Sequence, residues 1–256
     1  MSPVVRAEGA PVEQGRAQGT ALAPAIRAEL ARRRAASTWL ARRAVARRVA
    51  ATSGRALATQ LPWQRERIEG LAQAARVAEF ALVVAEAQTR VQAAAFCANG
   101  RIQLALALDP ALAPLLALRR SAPDAGGFAS AELTLAPLAG CLCGVNAEGL
   151  AAAVLRDLSR DELSLRFHAQ ELLFRARDLG AGIDHLRRRA AYAGGSGTLL
   201  AAAASGELAL LHFARGELDL ERPARLPPAA AAASAELDPA ARALRCGDVR
   251  VEAGAR

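Results

Sequence analysis

Four cysteines and three histidines are the side chains best suited to nucleophilic or metal chemistry in this sequence, and their spacing restricts what they can do. Cys97 lies in Ala95-Phe96-Cys97-Ala98 with apolar neighbours and no histidine close in sequence. Nothing nearby would lower its pKa, so it is expected to be a buried, unreactive structural cysteine, with a nucleophile as the alternative role. Cys141 and Cys143 share one face if their segment is a strand, but two thiolates without a third or fourth ligand do not make a zinc site. His168, His185 and His212 contain no ligand pair at helical i, i+4 spacing, so no metal and no cofactor is expected. His168 and His185 fall in an arginine-rich stretch that reads as helix surface, and His212 falls in an apolar strand that reads as core. Gly194-Gly195-Ser196-Gly197 lacks the Lys-Ser/Thr of a phosphate loop and precedes a strand-like run, so it is expected to be a connection.

The elements that must carry these residues can be read from periodicity. From Val12 to Gln88 apolar positions recur at helical spacing among alanines and arginines, predicting helices over about 12–52, with a break near Thr20 to Pro24, and about 63–88. The arginine pairs Arg32/Arg33, Arg42/Arg43 and Arg47/Arg48 read as a solvated helix face. After Gln88 the pattern shortens. VQAAAFCA and RIQLALALD flank Asn99-Gly100, a dipeptide suited to a tight hairpin, so the two runs are expected to pair antiparallel. AELTLAPLAGCLCGV, the turn Asn146-Ala147-Glu148-Gly149 and LAAAVL read as strand, turn, strand, with positive φ expected at Gly149. Arg160 to Arg189 reads as amphipathic helix, and TLLAAAAS and ELALLHFA as strands joined at Ser205-Gly206. Grouped rather than alternating helices and strands predict an α+β architecture with antiparallel sheets. One domain is expected over 1–222, with 223–256 a Pro/Ala-rich tail forming a linker and a short helix.

Composition narrows the function classes. The chain has 256 residues and a formal charge of +8, and contains no lysine, so all 33 basic side chains are arginine. A pI near 10.8 would suit an anionic partner, yet aromatics make up only 4% and no nucleic-acid motif appears, so nucleic acid is disfavoured. Few cysteines, no apolar run of membrane-spanning length and a charged N-terminal stretch lead to an expected cytoplasmic location without membrane insertion.

Several segments in order resemble one family. These are Glu8-Gly9-Ala10-Pro11-Val12-Glu13-Gln14-Gly15-Arg16-Ala17-Gln18-Gly19, then Glu69-Gly70-Leu71-Ala72-Gln73-Ala74-Ala75, then Ala139-Gly140-Cys141-Leu142-Cys143-Gly144-Val145-Asn146-Ala147-Glu148-Gly149-Leu150, and then the run from Ala169 to Phe213. Together they resemble the acyl-coenzyme A:6-aminopenicillanic acid acyltransferase family of N-terminal-nucleophile (Ntn) hydrolases. The resemblance implies an αββα sandwich of two antiparallel sheets, acting on amide bonds through a cysteine that self-cleavage exposes as a new N-terminus. Placing the Cys97 hairpin on the family's hairpin puts Val91-Gln92-Ala93 at the Gly-Cys-Thr-type position, so Gln92 stands where the nucleophile belongs. Cys97 is five residues further on, an odd offset that turns it to the other face of a strand. The Gly-Arg-Asn-x-Asp pattern appears as Ala105-Leu106-Ala107-Leu108-Asp109, which keeps Asp109 and replaces the asparagine by Ala107.

The resemblance therefore implies a degenerate, shortened member that is non-catalytic or weakly active. Its expected partners are an acyl or amide small molecule, or an oligomer formed through an exposed sheet edge that either the tail or another chain must cover. The alternative is an active cysteine acyltransferase or amidohydrolase using Cys97 or, less favoured, Thr89.

Overall fold

The computed structural model describes residues 2–98, 101–124, 126–159, 162–227, 235–246 and 249–253. A short strand β1 (Val4–Gly9) leads into α1 (Pro11–Ala35) and α2 (Trp39–Val49). A π-helical turn at Ala50–Gly54 connects α2 to α3 (Arg55–Gln60), followed by α4 (Pro62–Ala75) and α5 (Glu79–Gln88). The strands β2 (Val91–Ala98), β3 (Arg101–Ala107), β4 (Leu116–Pro123), β5 (Ser130–Leu135), β6 (Cys143–Asn146) and β7 (Ala151–Asp157) come next. Two helices, α6 (Leu165–Arg175) and α7 (Leu179–Ala193), precede β8 (Gly197–Ala202), β9 (Leu208–Ala214) and β10 (Glu217–Glu221). The chain ends with β11 (Ala235–Asp238), β12 (Ala243–Cys246) and β13 (Val249–Glu252).

The mixed α+β class expected from the element order is present. One hydrogen-bonded path runs β1-β4-β5-β6-β7-β2-β3-β11-β12-β13, and β8, β9 and β10 extend from the other edge of β7. All pairs are antiparallel except β1 with β4. β2 meets only the end of β7, at Val91 opposite Asp157 and Gln92 opposite Arg156, and there the path folds over. Val91, Ile102, Leu104, Leu237 and Leu244 consequently share one apolar cluster with Leu118, Leu133, Val145, Ala153 and Leu200, which gives two strand layers face to face.

Helices cover the outer face of the larger layer. α1, α4 and α5 pack with Val5 and Ala117, while α6 and α7 pack with Ala152, Val154, Leu199 and Leu211. Among the described residues no helix makes extensive contact with β3, β11, β12 or β13. A second outer helix layer, which an αββα arrangement requires, is not found among them.

Local differences from expectation have simple causes. α1 runs through the Thr20 to Pro24 region unbroken, with Pro24 at an exposed position on its outer side. The second helical stretch is divided at Arg76, whose left-handed φ of 57° caps α4. Leu237, Leu244 and Val251 in the tail are buried against the inter-layer core, so 235–252 forms three strands rather than a short helix. Of the two covers considered for the sheet edge, it is the tail that pairs with β3, through Ala235, Glu236 and Leu237. The strands flanking Asn99-Gly100 pair as expected, although that turn itself lies outside the described residues.

Candidate functional site

The start of β2, the ends of β3 and β7 and the C-terminal ends of α1, α2 and α5 surround a cavity of about 710 Å³. Its wall includes Gln92, Ala107, Asp109, Asp157, Arg32, Arg33, Thr89 and Arg90. Pairing about the hairpin places Gln92 directly opposite Ala107, so the two positions that the sequence singles out as degenerate are neighbours. Asp109 lies two residues beyond the end of β3. It occupies a turn in which its Oδ1 accepts from Ala111 N at 2.9 Å, and it is exposed at the same cavity. The structure thus brings Gln92, Ala107 and Asp109 together.

Cys97 does not join them. It sits near the other end of β2, paired with Ile102, its amide donates to Pro227 O at 2.9 Å, and its side chain is exposed. The expectation of a buried Cys97 is corrected: it is exposed, although Ile102, its partner across the hairpin, is buried. Thr89 does line the cavity, with its hydroxyl engaged. It donates to Ala85 O at 2.7 Å and accepts from Arg33 Nη2 at 3.0 Å. Ser37 likewise donates to Arg33 O at 3.1 Å.

Beneath the cavity floor lies a charged group that sequence reasoning missed. Arg166, fully buried on α6, pairs with Glu86 Oε2 at 3.0 Å and Asp157 Oδ2 at 3.1 Å, and donates to Thr89 O at 3.1 Å. Glu86 also accepts from Gly140 N at 2.8 Å, and Asp157 accepts from Ser164 Oγ at 2.7 Å. These bonds tie α5, β7 and α6 together and fix the frame on which Gln92 is carried. A second buried group joins Arg119, Glu132, Gln18 and Gln170. Burial would raise the Glu132 pKa, but Arg119 and Arg67 outweigh it and hold the carboxyl low. Arg67, buried and beside Arg119, is pushed down to about 9. The sequence signal for this group was Arg119 and Glu132 interrupting apolar strands; they stand directly opposite each other on β4 and β5.

The remaining expectations divide. Gly149 has φ of 81° and closes the turn onto Asn146 O at 3.0 Å, as expected. Asn146 does more than turn the chain, because its Nδ2 also donates to Leu173 O and Ala176 O and anchors the end of α6. The glycine-rich connection is already occupied by protein groups: Gly195 N donates to Glu162 Oε2 at 3.0 Å and Ser196 N to Ser159 Oγ at 3.0 Å. His168, expected at the surface, is fully buried against Phe213 because α6 is enclosed over most of its length. His212, expected in the core, is half-exposed on β9 and bonds Thr198 Oγ1. Cys141 packs among the α6 and α7 side chains and Cys143 between the strand layers, so they do not share a face; Cys141 precedes β6 and breaks the alternation. Burial pushes both thiols well above their usual range.

Among the described residues no group of three or more His, Cys, Asp or Glu is placed to hold a metal, and no helix is long and apolar enough to cross a membrane. No protein-family model matches this sequence, and no curated protein matches it significantly.

Proposed function

We propose that this chain is a shortened, non-catalytic relative of the Ntn acyltransferases and amidohydrolases that holds an acyl or amide ligand in the cavity around Gln92. On this proposal it keeps the helix layer over one sheet and, among the described residues, lacks its counterpart over the other. The observation that carries it is the opposition of Gln92 and Ala107 at the cavity wall. Acyl transfer at that place requires a thiolate or alkoxide as nucleophile, which the Gln92 carboxamide cannot become, and the Ala107 methyl cannot donate to an oxyanion as an asparagine amide there would. The hydroxyls of Thr89 and Ser37 at the same wall already donate to carbonyls.

The exposed thiol of Cys97 favours a second proposal, an active cysteine enzyme acting at C–N amide bonds, but Cys97 lies outside the cavity lining. Among the described residues β13 forms a sheet edge at which a second copy can pair, and the lack of a disulfide at Cys97, Cys141, Cys143 and Cys246 suits a cytoplasmic location. Intact-mass measurement separates the two proposals. A single species of 26.6 kDa without acyl-amide or acyl-thioester hydrolysis supports the first. Two fragments, or turnover abolished by Cys97→Ala, overturns it.

A further inference from the structure

Among the described residues β13 ends the hydrogen-bonded path, and its backbone is oriented to receive a further strand. Ala253 N donates to Arg242 O at 2.9 Å, and Val251 stands opposite Leu244 in the same register. Because bonded pairs alternate along an antiparallel ladder, Val251 turns its N–H and C=O toward β12. Arg250 and Glu252 therefore turn theirs to the free side. Val251 is buried in the inter-layer core, so the side chains of Arg250 and Glu252 point to the outer face, where they are 51% and 66% exposed. The charges on that face show what the free side lacks. Arg101 pairs with Glu236 and Asp238 at 3.0 Å, and Arg245 stands opposite Glu236. Arg250, by contrast, stands opposite Arg245, and Glu252 stands opposite Ala243, so β12 offers neither of them an opposite charge directly across. Along their own strand the two are 3.3 Å apart.

A second β13, laid antiparallel with Val251 of each copy on the axis, sets Arg250 of one copy opposite Glu252 of the other. These are the residues whose backbone groups point outward, so each such pair exchanges both of its N–H···O bonds. Each arginine then lies between two carboxylates, its own chain's and the second copy's. The neighbouring registers that keep the same face set Arg250 against Arg250 or Glu252 against Glu252, like charges directly opposite. The other sheet edges suit a second copy less well. On β10, Glu217, Asp219 and Glu221 share the exposed face, and self-pairing would set carboxylate against carboxylate. On β1, Arg6 and Glu8 share the face of Val4, which stands opposite Leu118 of the inter-layer core, so a second β1 would bring its side chains to the side that the other layer occupies. We infer that the chain forms a two-fold dimer through β13, with Val251 on the axis and Arg250 of each copy paired with Glu252 of the other. This rests on β13 being an open edge and is independent of any ligand at the Gln92 cavity.

Sedimentation equilibrium of the full chain tests the inference, under reducing conditions that keep the exposed Cys97 from linking copies. So short a strand makes a small contact, and a weak dimer is expected, populated above about 0.1 mM protein. Arg250→Glu sets like charges opposite each other on both sides of the axis and should weaken association by at least about tenfold, as should Glu252→Arg. The variant carrying both changes restores the alternation of charge and should return to within about threefold of the wild type. All of these alter exposed side chains and leave the packed core in place. A monomer at about 1 mM, unchanged association in both single variants, or a double variant no stronger than the single ones overturns the inference. Loss of association in Arg6→Glu with Arg250→Glu unaffected also overturns it and moves the interface to β1. None of these results bears on intact mass or hydrolysis, so this failure is distinguishable from failure of the proposal above.

Discussion

Replacing Gly70 by alanine should destabilise the protein although alanine is the better helix former. Gly70 on α4 faces α1, and Gly15 on α1 faces α4. A Cβ at Gly70 would collide with Val12 O and lie 2.8 Å from the Val12 carbonyl carbon and 3.1 Å from Arg16 N. These are backbone atoms of a regular helix and cannot rotate away, so the two helices must separate by about an ångström. Leu22, Ile26, Ile68 and Leu71 pack in the cluster these helices share and are almost fully buried. At about 2 kcal/mol each their burial contributes roughly 8 kcal/mol. A gap of 0.5–1 Å forfeits about a quarter to a half of such contacts, or roughly 2–4 kcal/mol. Helix propensity returns about 1 kcal/mol, leaving a net loss of about 1–3 kcal/mol. Gly54→Ala is the matched control, since its nearest new contact is Val49 O at 3.6 Å, and it should gain up to about 1 kcal/mol. Urea unfolding followed by circular dichroism measures both. A Gly70→Ala midpoint at or above that of the wild type would refute the close-packing argument.

Native-state alkylation should discriminate among the thiols: iodoacetamide is expected to modify exposed Cys97 while Cys141 and Cys143 react only after unfolding, read by peptide mass mapping. Comparable labelling of Cys141 in the folded protein would contradict its enclosure. Acid should weaken the fold in a step that belongs to His168, whose pKa is lowered from 6.5 chiefly by burial and whose Nδ1 has no partner. The unfolded chain then binds more protons than the native state, so stability falls as pH drops below 6.5, by at most ~1.4 kcal/mol per pH unit. His168→Gln should flatten that part of the urea-midpoint profile, and an unchanged slope would rule His168 out as its source. Below the usual glutamate range a further loss is expected as Glu29, Glu132 and Glu171, all held low in the fold, take up protons.

The sequence alone determined what depends on near neighbours along the chain. Helical spacing between Val12 and Gln88, the pairing of 91–98 with 101–107 and the Gly149 turn all follow from local backbone preference and periodicity, and all are present. It also placed Gln92 opposite Ala107, because the strands flanking Asn99-Gly100 set the hairpin register. Only the tertiary structure decided which faces are covered. His168 and Arg166 lie on a helix whose arginine-rich sequence reads as surface, yet α6 is enclosed, and Arg166 is compensated by Glu86 from 80 residues away. Cys97 reads as core and is exposed, while Ile102 opposite it is buried. The tail reads as a linker and a short helix, but its first strand, β11, pairs with β3, more than a hundred residues earlier in the chain. Burial and charge pairing are set by contacts between segments remote in sequence, and a local pattern holds no information about which segment will arrive.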